Sequence, residues 1–298
     1  MNKLIYYLFF SLVIISCGSK KEKSETADKQ ESPTAEEDVA ELSLEKLWET
    51  DTLLTTCESV FYDRQRNILY VSNINGVPTD KDGNGFISKV NLDGSIEKLH
   101  WVTGLDAPKG MGVSGNILYV TNIDELVEVD IISGEIVKRY PVEGAKFLND
   151  VATDNNKVYF TDSDTNKIHV LENGTITTWL ASNLKGPNGL FIESDRILLA
   201  SMGSADLKAI SKNDKSQKVI GTEIGAGDGI GKTTDGDYIV SNWRGEVYII
   251  ALDGKKIKLL DTKAQKLNIA DIEFIADKNL LLVPTFFGNT VVAYELKQ

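Results

Sequence analysis

The sequence predicts an all-β fold, a six-bladed β-propeller with four-stranded blades. The first observation behind this prediction is a pattern of two apolar strands around a polar turn that occurs six times. The second is that β-branched and aromatic runs alternate with tight turns, while no useful length of chain has helical periodicity. The third is the spacing, because units of about forty residues with four strands each are typical of propeller blades.

The six units align on the last residue of their second strand. The spacings between successive units are 49, 40, 40, 40 and 43 residues. An insert at residues 80–88 explains the longer first spacing. Each unit then continues into a third strand and an outer fourth strand. The aligned residues are Asn73, Asn122, Asp162, Met202, Asn242 and Thr285.

The sixth unit ends one strand short, after residues 291–296. Residues 44–48 resemble the outer strand at residues 96–101, so we expect the N-terminal segment to complete the last blade and close the ring. Closure hides the sheet edges that an open ring would expose. The predicted propeller domain is therefore 42–298.

The first 41 residues are predicted to contain a targeting signal followed by a tether. An apolar run of about a dozen residues follows Lys3, which is too short to span a membrane and is typical of a signal peptide. It leads into Ile14-Ile15-Ser16-Cys17, which resembles the lipobox of bacterial lipoproteins. We expect a lipoprotein signal peptide at 1–16, lipidation of Cys17, a flexible charged tether at 17–41 and a lipid-anchored location in the bacterial cell envelope. A signal peptide with an incidental Cys and an uncleaved anchor are the alternatives.

The charge excludes one class of partner. The formal net charge is −12, and an acidic chain repels nucleic acid, which needs a concentrated basic surface. Residues 226–233 match a loose phosphate-binding loop, but a turn and a strand follow where that loop requires a helix. We therefore expect neither nucleic-acid nor nucleotide binding.

The central channel carries the sharpest functional signal. The innermost strand of each blade lines this channel, so equivalent residues of the six blades face one another. Two carboxylates and two carboxamides at one level form an oxygen-rich cage of the kind that hard cations prefer. That level contains Glu58, Lys109, Asn149, Asn188, Asp228 and Ala270, and the next contains Ser59, Gly110, Asp150, Gly189, Gly229 and Asp271.

These residues carry a family resemblance. The segments Glu58-Ser59, 148–150, 187–190 and Asp228-Gly229 resemble the regucalcin/gluconolactonase family of six-bladed, metal-dependent lactone hydrolases, and the resemblance covers 42–298. It implies a divalent metal of the Ca²⁺ or Zn²⁺ class, bound through Glu58, Asn188 and Asp228. It also implies that Asn149 and Asp150 lie beside the metal and bind the substrate, and that the catalytic residues are Asp228, which acts as a base, and Asn149.

Two residues depart from the family pattern. Phe147 stands where the sugar-lactone hydrolases carry an Arg that holds the substrate, and Lys109 places a cation in the central ring. Lys109 would offset carboxylate charge, bind an anionic group of a ligand, or replace the metal. The prediction is a metal-dependent hydrolase of a small lactone or ester, with Lys109 and Phe147 among the substrate-binding residues. The alternative is a non-catalytic propeller that binds a ligand or protein on the same face.

Residues 80–88 resemble the first part of an EF-hand calcium loop. Oxygen-bearing side chains and a Gly have the expected spacing. Asn91 occupies the twelfth position, where a bidentate Glu belongs, and no helices flank the segment. We expect a hairpin insert here, with a peripheral Ca²⁺ site as the alternative.

Overall fold

The computed structural model describes residues 42–297, which form six four-stranded antiparallel sheets. Two single-turn 3-10 helices, Lys263–Gln265 and Ala276–Lys278, interrupt this all-β architecture. The predicted six-bladed propeller is therefore confirmed. The predicted signal peptide, Cys17 and the tether lie outside the described residues. Between residues 42 and 297, no helix has the length and hydrophobicity that a membrane crossing requires.

The blades follow one another along the chain, and the first strand of each is the innermost. Blade 1 contains β2 (Cys57–Asp63), β3 (Ile68–Asn73), β4 (Gly85–Val90) and β5 (Ile96–Leu105). Blade 2 contains β6 (Pro108–Ser114), β7 (Ile117–Asn122), β8 (Glu125–Asp130) and β9 (Glu135–Pro141). Blade 3 contains β10 (Leu148–Asp154), β11 (Lys157–Asp162), β12 (Lys167–Glu172) and β13 (Thr175–Leu180). Blade 4 contains β14 (Pro187–Ile192), β15 (Arg196–Ser201), β16 (Asp206–Ser211) and β17 (Gln217–Thr222). Blade 5 contains β18 (Gly227–Lys232), β19 (Tyr238–Asn242), β20 (Glu246–Ile250) and β21 (Lys256–Asp261). Blade 6 contains β22 (Glu273–Ile275), β23 (Leu280–Pro284), β24 (Val291–Lys297) and β1 (Ser43–Glu49).

The ring closes in blade 6, where the N-terminal strand is the outer strand. β1 pairs antiparallel with β24, and Leu44 lies opposite Leu296. The inner strands of blades 6 and 1 also meet, through a parallel bridge between Ser59 and Asp271. The predicted closure by the N-terminal segment is confirmed, and it joins the two ends of the described chain within one sheet.

The apolar core lies between neighbouring blades. In the cluster between blades 1 and 2, Tyr70 of β3 stacks on Trp101 of β5 with ring centroids 4.8 Å apart. Both rings pack with buried residues of blade 2 such as Leu118 and Val120. Because each sheet buries both faces against its neighbours, the second strand of each blade is buried almost throughout.

The inner strands of blades 1 to 5 each contain a β-bulge where they enter the channel. In β10, for example, the pairing with β11 shifts between Leu148 and Val151. A hydroxyl group of the second strand fills the gap, since Thr161 Oγ1 accepts a hydrogen bond of 2.9 Å from Asp150 N. In blade 5, Ser241 Oγ does the same for Gly229 N at 2.8 Å. Bulges redirect side chains, and these bulges contain the residues of the two central levels.

Glycine allows the inner strands to approach closely at the second level. A Cβ on Gly110 would lie 2.4 Å from Asp150 Oδ1, and one on Gly229 would lie 2.6 Å from Asp271 Oδ1. No side chain fits at these distances. The inner strands are therefore packed against one another at this level, between a pocket at their N-terminal ends and a cavity further along them.

Candidate functional site

A pocket of about 220 Å³ lies where the inner strands begin. We call it the central pocket. Its polar residues are the second residues of β2, β6, β10, β14 and β18, and each is at most 5% exposed. The five are Glu58, Lys109, Asn149, Asn188 and Asp228. The sixth residue of that level, Ala270, is buried in an apolar cluster beside the pocket.

Three oxygens of the central pocket have no hydrogen-bond partner. They are Glu58 Oε2, Asn188 Oδ1 and Asp228 Oδ1, all buried. Burying an unpaired oxygen of a carboxyl or amide group costs free energy unless a partner offsets it. Carboxylate and amide oxygens are ligands that Ca²⁺ accepts, so these three residues fit a divalent cation. They are two carboxyls and one amide, whereas no group of three His, Cys, Asp or Glu residues able to hold a metal occurs within residues 42–297.

Burial also shifts the titration of the two carboxyls. The pKa of Glu58 is raised well above its usual value by burial and then by the charge of Asp228. The pKa of Asp228 is raised by burial and by the charge of Asp271, and the Asn188 amide opposes the shift. A bound cation favours the ionised form of both groups and reverses these shifts.

Lys109 is buried beside these oxygens but does not occupy the space between them. Its Nζ donates to Pro78 O at 3.0 Å and to Ala107 O at 3.1 Å, and it lies 4.5 Å from the centre of the Phe147 ring. Of the ion pairs within residues 42–297, none includes Lys109. Burial lowers the pKa of Lys109 to about 8, and the charge of Glu58 opposes the shift. Because an ammonium group has three donors, one remains available to a ligand.

Phe147 and Asn149 flank the start of β10 and line the same pocket. The loop before β10 is held by Asp162, whose Oδ1 accepts a hydrogen bond of 3.1 Å from Phe147 N. The Asn149 amide donates to Ser163 Oγ at 3.2 Å, which leaves its second N–H free. The structure therefore brings Phe147 and Asn149 together with Lys109 and the three unpartnered oxygens.

Asp150 does not line the central pocket. Its two carboxylate oxygens accept hydrogen bonds from Val151 N at 2.6 Å and Leu190 N at 2.5 Å. It lines a second cavity of about 300 Å³, along the later residues of the inner strands, together with Asp271 and Glu273. We call this the far cavity. The sequence placed Asp150 beside Asn149 at the substrate, but the structure separates them, since Asn149 lines the central pocket and Asp150 lines the far cavity.

One wall of the central pocket is aromatic. Trp243 and Phe286 contact edge to face with centroids 6.0 Å apart, and Phe286 and Phe287 do so at 4.7 Å. Phe286 is buried and has a φ of 51°, in the left-handed region that bulky residues avoid. We call Trp243, Phe286 and Phe287 the aromatic wall.

Known structures share this fold. A gluconolactonase from Xanthomonas campestris is 15% identical with a TM-score of 0.65, and the match covers 85% of this chain and 89% of that one. A streptogramin B lyase is 13% identical with a TM-score of 0.63, and the match covers 86% of this chain and 98% of that one. A protein of unknown function from Bacteroides thetaiotaomicron is 11% identical with a TM-score of 0.66, and the match covers 86% of this chain and 76% of that one.

No family model and no curated protein matches the sequence. At these identities, the structural matches establish the propeller fold. Gluconolactonases are among the structural neighbours, as the resemblance in the sequence implied.

Three apolar residues of the pocket were not predicted from the sequence. Ile74, Trp243 and Phe286 each stand one position after the last aligned residue of the repeat. In a propeller this position begins the loop between the second and third strands, at the same end of the channel as the start of the inner strands. Four of the six residues in that column are large and apolar, and this is the signal that would have found them.

Two segments set aside in the sequence also have a place in the fold. Residues 227–232 form β18, and the strand β19 follows, as the repeat requires. In the insert, both carboxylate oxygens of Asp82 accept hydrogen bonds from Asn84. Pro78, just before the insert, lines the central pocket. The segment just before the insert therefore contributes to the pocket.

Proposed function

We propose that the central pocket binds a divalent cation of the Ca²⁺ or Zn²⁺ class through Glu58, Asn188 and Asp228, and that it hydrolyses a small lactone or ester. The observation that carries this proposal is the convergence of three buried, unpartnered oxygens in one pocket. The fold shared with gluconolactonases supports the same reaction class.

The residues of the pocket have separate tasks in this reaction. A cation held there would polarise the substrate carbonyl and lower the pKa of a bound water. Asp228 accepts a proton from the attacking water, the water oxygen bonds to the carbonyl carbon, and the bond to the ring or ester oxygen breaks. The free N–H of Asn149 and the third donor of Lys109 hold oxygens of the substrate, and the leaving alkoxide takes up the proton that Asp228 accepted from the water.

A second candidate is a non-catalytic propeller that binds a ligand on this face. The observation in its favour is the unused donor of the buried Lys109, which suits an anionic group. Fold alone does not establish chemistry. Metal-dependent turnover separates the two candidates, since only the hydrolase requires it.

The test is calorimetric titration of Ca²⁺, Zn²⁺, Mg²⁺ and Mn²⁺ into the metal-stripped full-length chain. We expect one site per chain, lost in Asp228→Ala and retained in the control Asp82→Ala, whose carboxylate lies in the exposed insert. Lactone and ester hydrolysis should then stop on chelation and return with the metal. Absence of saturable binding, or unchanged binding in Asp228→Ala, would refute the proposed metal site.

We also propose that the protein is a lipoprotein anchored to the bacterial cell envelope through Cys17. The lipobox-like segment that ends at Cys17 supports this. A Cys17→Ala variant should leave the membrane fraction and lose incorporation of labelled palmitate, whereas Cys57→Ala should retain both. Membrane retention of Cys17→Ala would contradict the proposal.

A further inference from the structure

We propose that the substrate of the central pocket has an apolar body, packed on the aromatic wall, and lacks the hydroxyl groups of a sugar lactone. This inference rests on the proposed hydrolase function and specifies its substrate class. It follows from three properties of the pocket: the chemistry of its lining, the conformation of Phe286 and the available volume.

The lining leaves few hydrogen-bonding groups for a sugar. Seven of the residues around the pocket are apolar, namely Ile74, Pro78, Phe147, Met202, Trp243, Phe286 and Phe287. Once Glu58, Asn188 and Asp228 hold a cation, few side-chain donors remain for a substrate, namely those of Asn149 and Lys109 and the indole N–H of Trp243. These suffice for the oxygens of one ester group. Each sugar hydroxyl buried against the apolar residues would lose its hydrogen bonds to water without replacement.

The conformation of Phe286 indicates that the surrounding structure holds the aromatic wall in place. Its left-handed φ of 51° is a strained conformation for a large side chain and persists only where the surroundings hold it. Phe286 O accepts from Asn289 N at 3.1 Å, and Phe286 bridges Cys57 of the neighbouring blade. The strained residue presents its ring to Trp243 on one side and to Phe287 on the other.

Phe287 offers exposed apolar surface that a substrate could bury. Its side chain is 60% exposed although it lines the pocket. An apolar body placed against this ring removes apolar surface of both partners from water. The cavity of about 220 Å³ equals the space of roughly seven water molecules. That space suits a monocyclic lactone with a short alkyl chain.

The test compares lactones that share one ring and differ in what the ring carries. Glucono-δ-lactone is measured beside δ-valerolactone and its alkyl-substituted forms, with the metal-loaded full-length chain. We expect kcat/KM to rise by roughly fourfold for each methylene group that the pocket buries. The best alkyl lactone should exceed glucono-δ-lactone by at least about tenfold, since the sugar hydroxyls are left unpaired.

A substitution in the aromatic wall tests whether this wall causes the preference for alkyl lactones. Phe287→Ser should flatten the dependence of kcat/KM on alkyl length, and its exposed position preserves the fold. The matched control is Ile132→Ser, which changes an apolar side chain that is 75% exposed on a turn of blade 2. We expect Ile132→Ser to keep the wild-type dependence. An unchanged dependence in Phe287→Ser would remove the aromatic wall from substrate recognition.

The outcomes separate this inference from the hydrolase proposal. Faster hydrolysis of glucono-δ-lactone would overturn the apolar substrate class and leave the hydrolase standing. If neither a lactone nor an ester is hydrolysed, the hydrolase proposal fails, and calorimetry with the matching lactams decides the ligand class. Tighter binding of the butyl-substituted δ-valerolactam than of gluconolactam would support an apolar ligand, and equal or absent binding would overturn it.

Discussion

The central pocket and the far cavity both contain buried carboxyl groups from the inner strands, but these groups have different partners. In the central pocket, Glu58 Oε2 and Asp228 Oδ1 have no hydrogen-bond partner. In the far cavity, Asp150 accepts from two main-chain amides. Asp271 accepts from the Ser59 hydroxyl at 2.6 Å, and Glu273 accepts from Tyr62 N at 3.2 Å.

This difference distinguishes a ligand site from a structural one. Apart from Val151, which follows Asp150 in β10, the partners in the far cavity come from neighbouring blades, so its carboxyls join the inner strands of the ring. In the central pocket the protein leaves the equivalent bonding capacity unused, as a site for an external cation requires. The two regions should therefore respond in opposite ways to loss of a carboxyl and to loss of metal.

The largest expected effect on stability is at Asp150. Asp150→Ala leaves the amides of Val151 and Leu190 buried without an acceptor. The free energy of unfolding should fall by about 3 kcal/mol, since each unsatisfied buried group costs on the order of 1–3 kcal/mol. Urea unfolding of the metal-stripped chain measures it. Unchanged stability, or loss of metal binding without loss of stability, would place Asp150 with the ligand site after all.

Glu58→Gln should give the reverse pattern. Loss of one charged ligand should weaken metal affinity by at least about 100-fold, since partners that only support a ligand already account for roughly 10–100-fold. The metal-free protein should unfold with equal or higher free energy, because a neutral group replaces a buried ionisable one. Calorimetry and urea unfolding measure the two effects, with the exposed Glu97→Gln as the control. Undiminished affinity in Glu58→Gln would exclude it as a ligand.

The pH dependence of stability should reveal the far cavity. Burial raises the pKa of Glu273 from its ordinary 4.5 to about 7. Between these values the folded chain keeps a proton that the unfolded chain releases, so the free energy of unfolding falls as pH rises. Above the pKa of Glu273 in the folded chain, no further stability is lost through this group.

Urea unfolding from about pH 5 to about pH 8 checks this dependence in wild type and in Glu273→Gln. The variant should show a shallower decline, both with and without Ca²⁺, because the proposed cation site is in the central pocket. Equal slopes in the two proteins would show that Glu273 ionises normally in the folded chain.

The smallest expected effect is at Lys109. Lys109→Met keeps the length of the side chain and removes a positive charge beside the cation donors. We expect Ca²⁺ affinity to increase by roughly fivefold, because like charges near one another disfavour binding. Calorimetry measures the change. Loss of ligand binding with unchanged metal affinity would instead support the non-catalytic, anion-binding alternative.

Much of the fold could be predicted because it is repetitive. The strand pattern recurs in each blade, so the number of blades and the strand that closes the ring follow from periodicity alone. The central level could be found in the same way, since equivalent positions of a closed ring face one axis. Phe147 and Lys109 were identified as departures, and both line the central pocket.

The sequence by itself therefore determined the propeller, its closure and the residues at the start of the inner strands. Only the tertiary structure decided which carboxyls are bonded and which are free. Asp150 and Asn149 are neighbours in the chain, yet the strand and its bulge send their side chains to different cavities. Hydrogen-bond partners and the aromatic wall come from blades distant in sequence, so their arrangement is a property of the assembled ring.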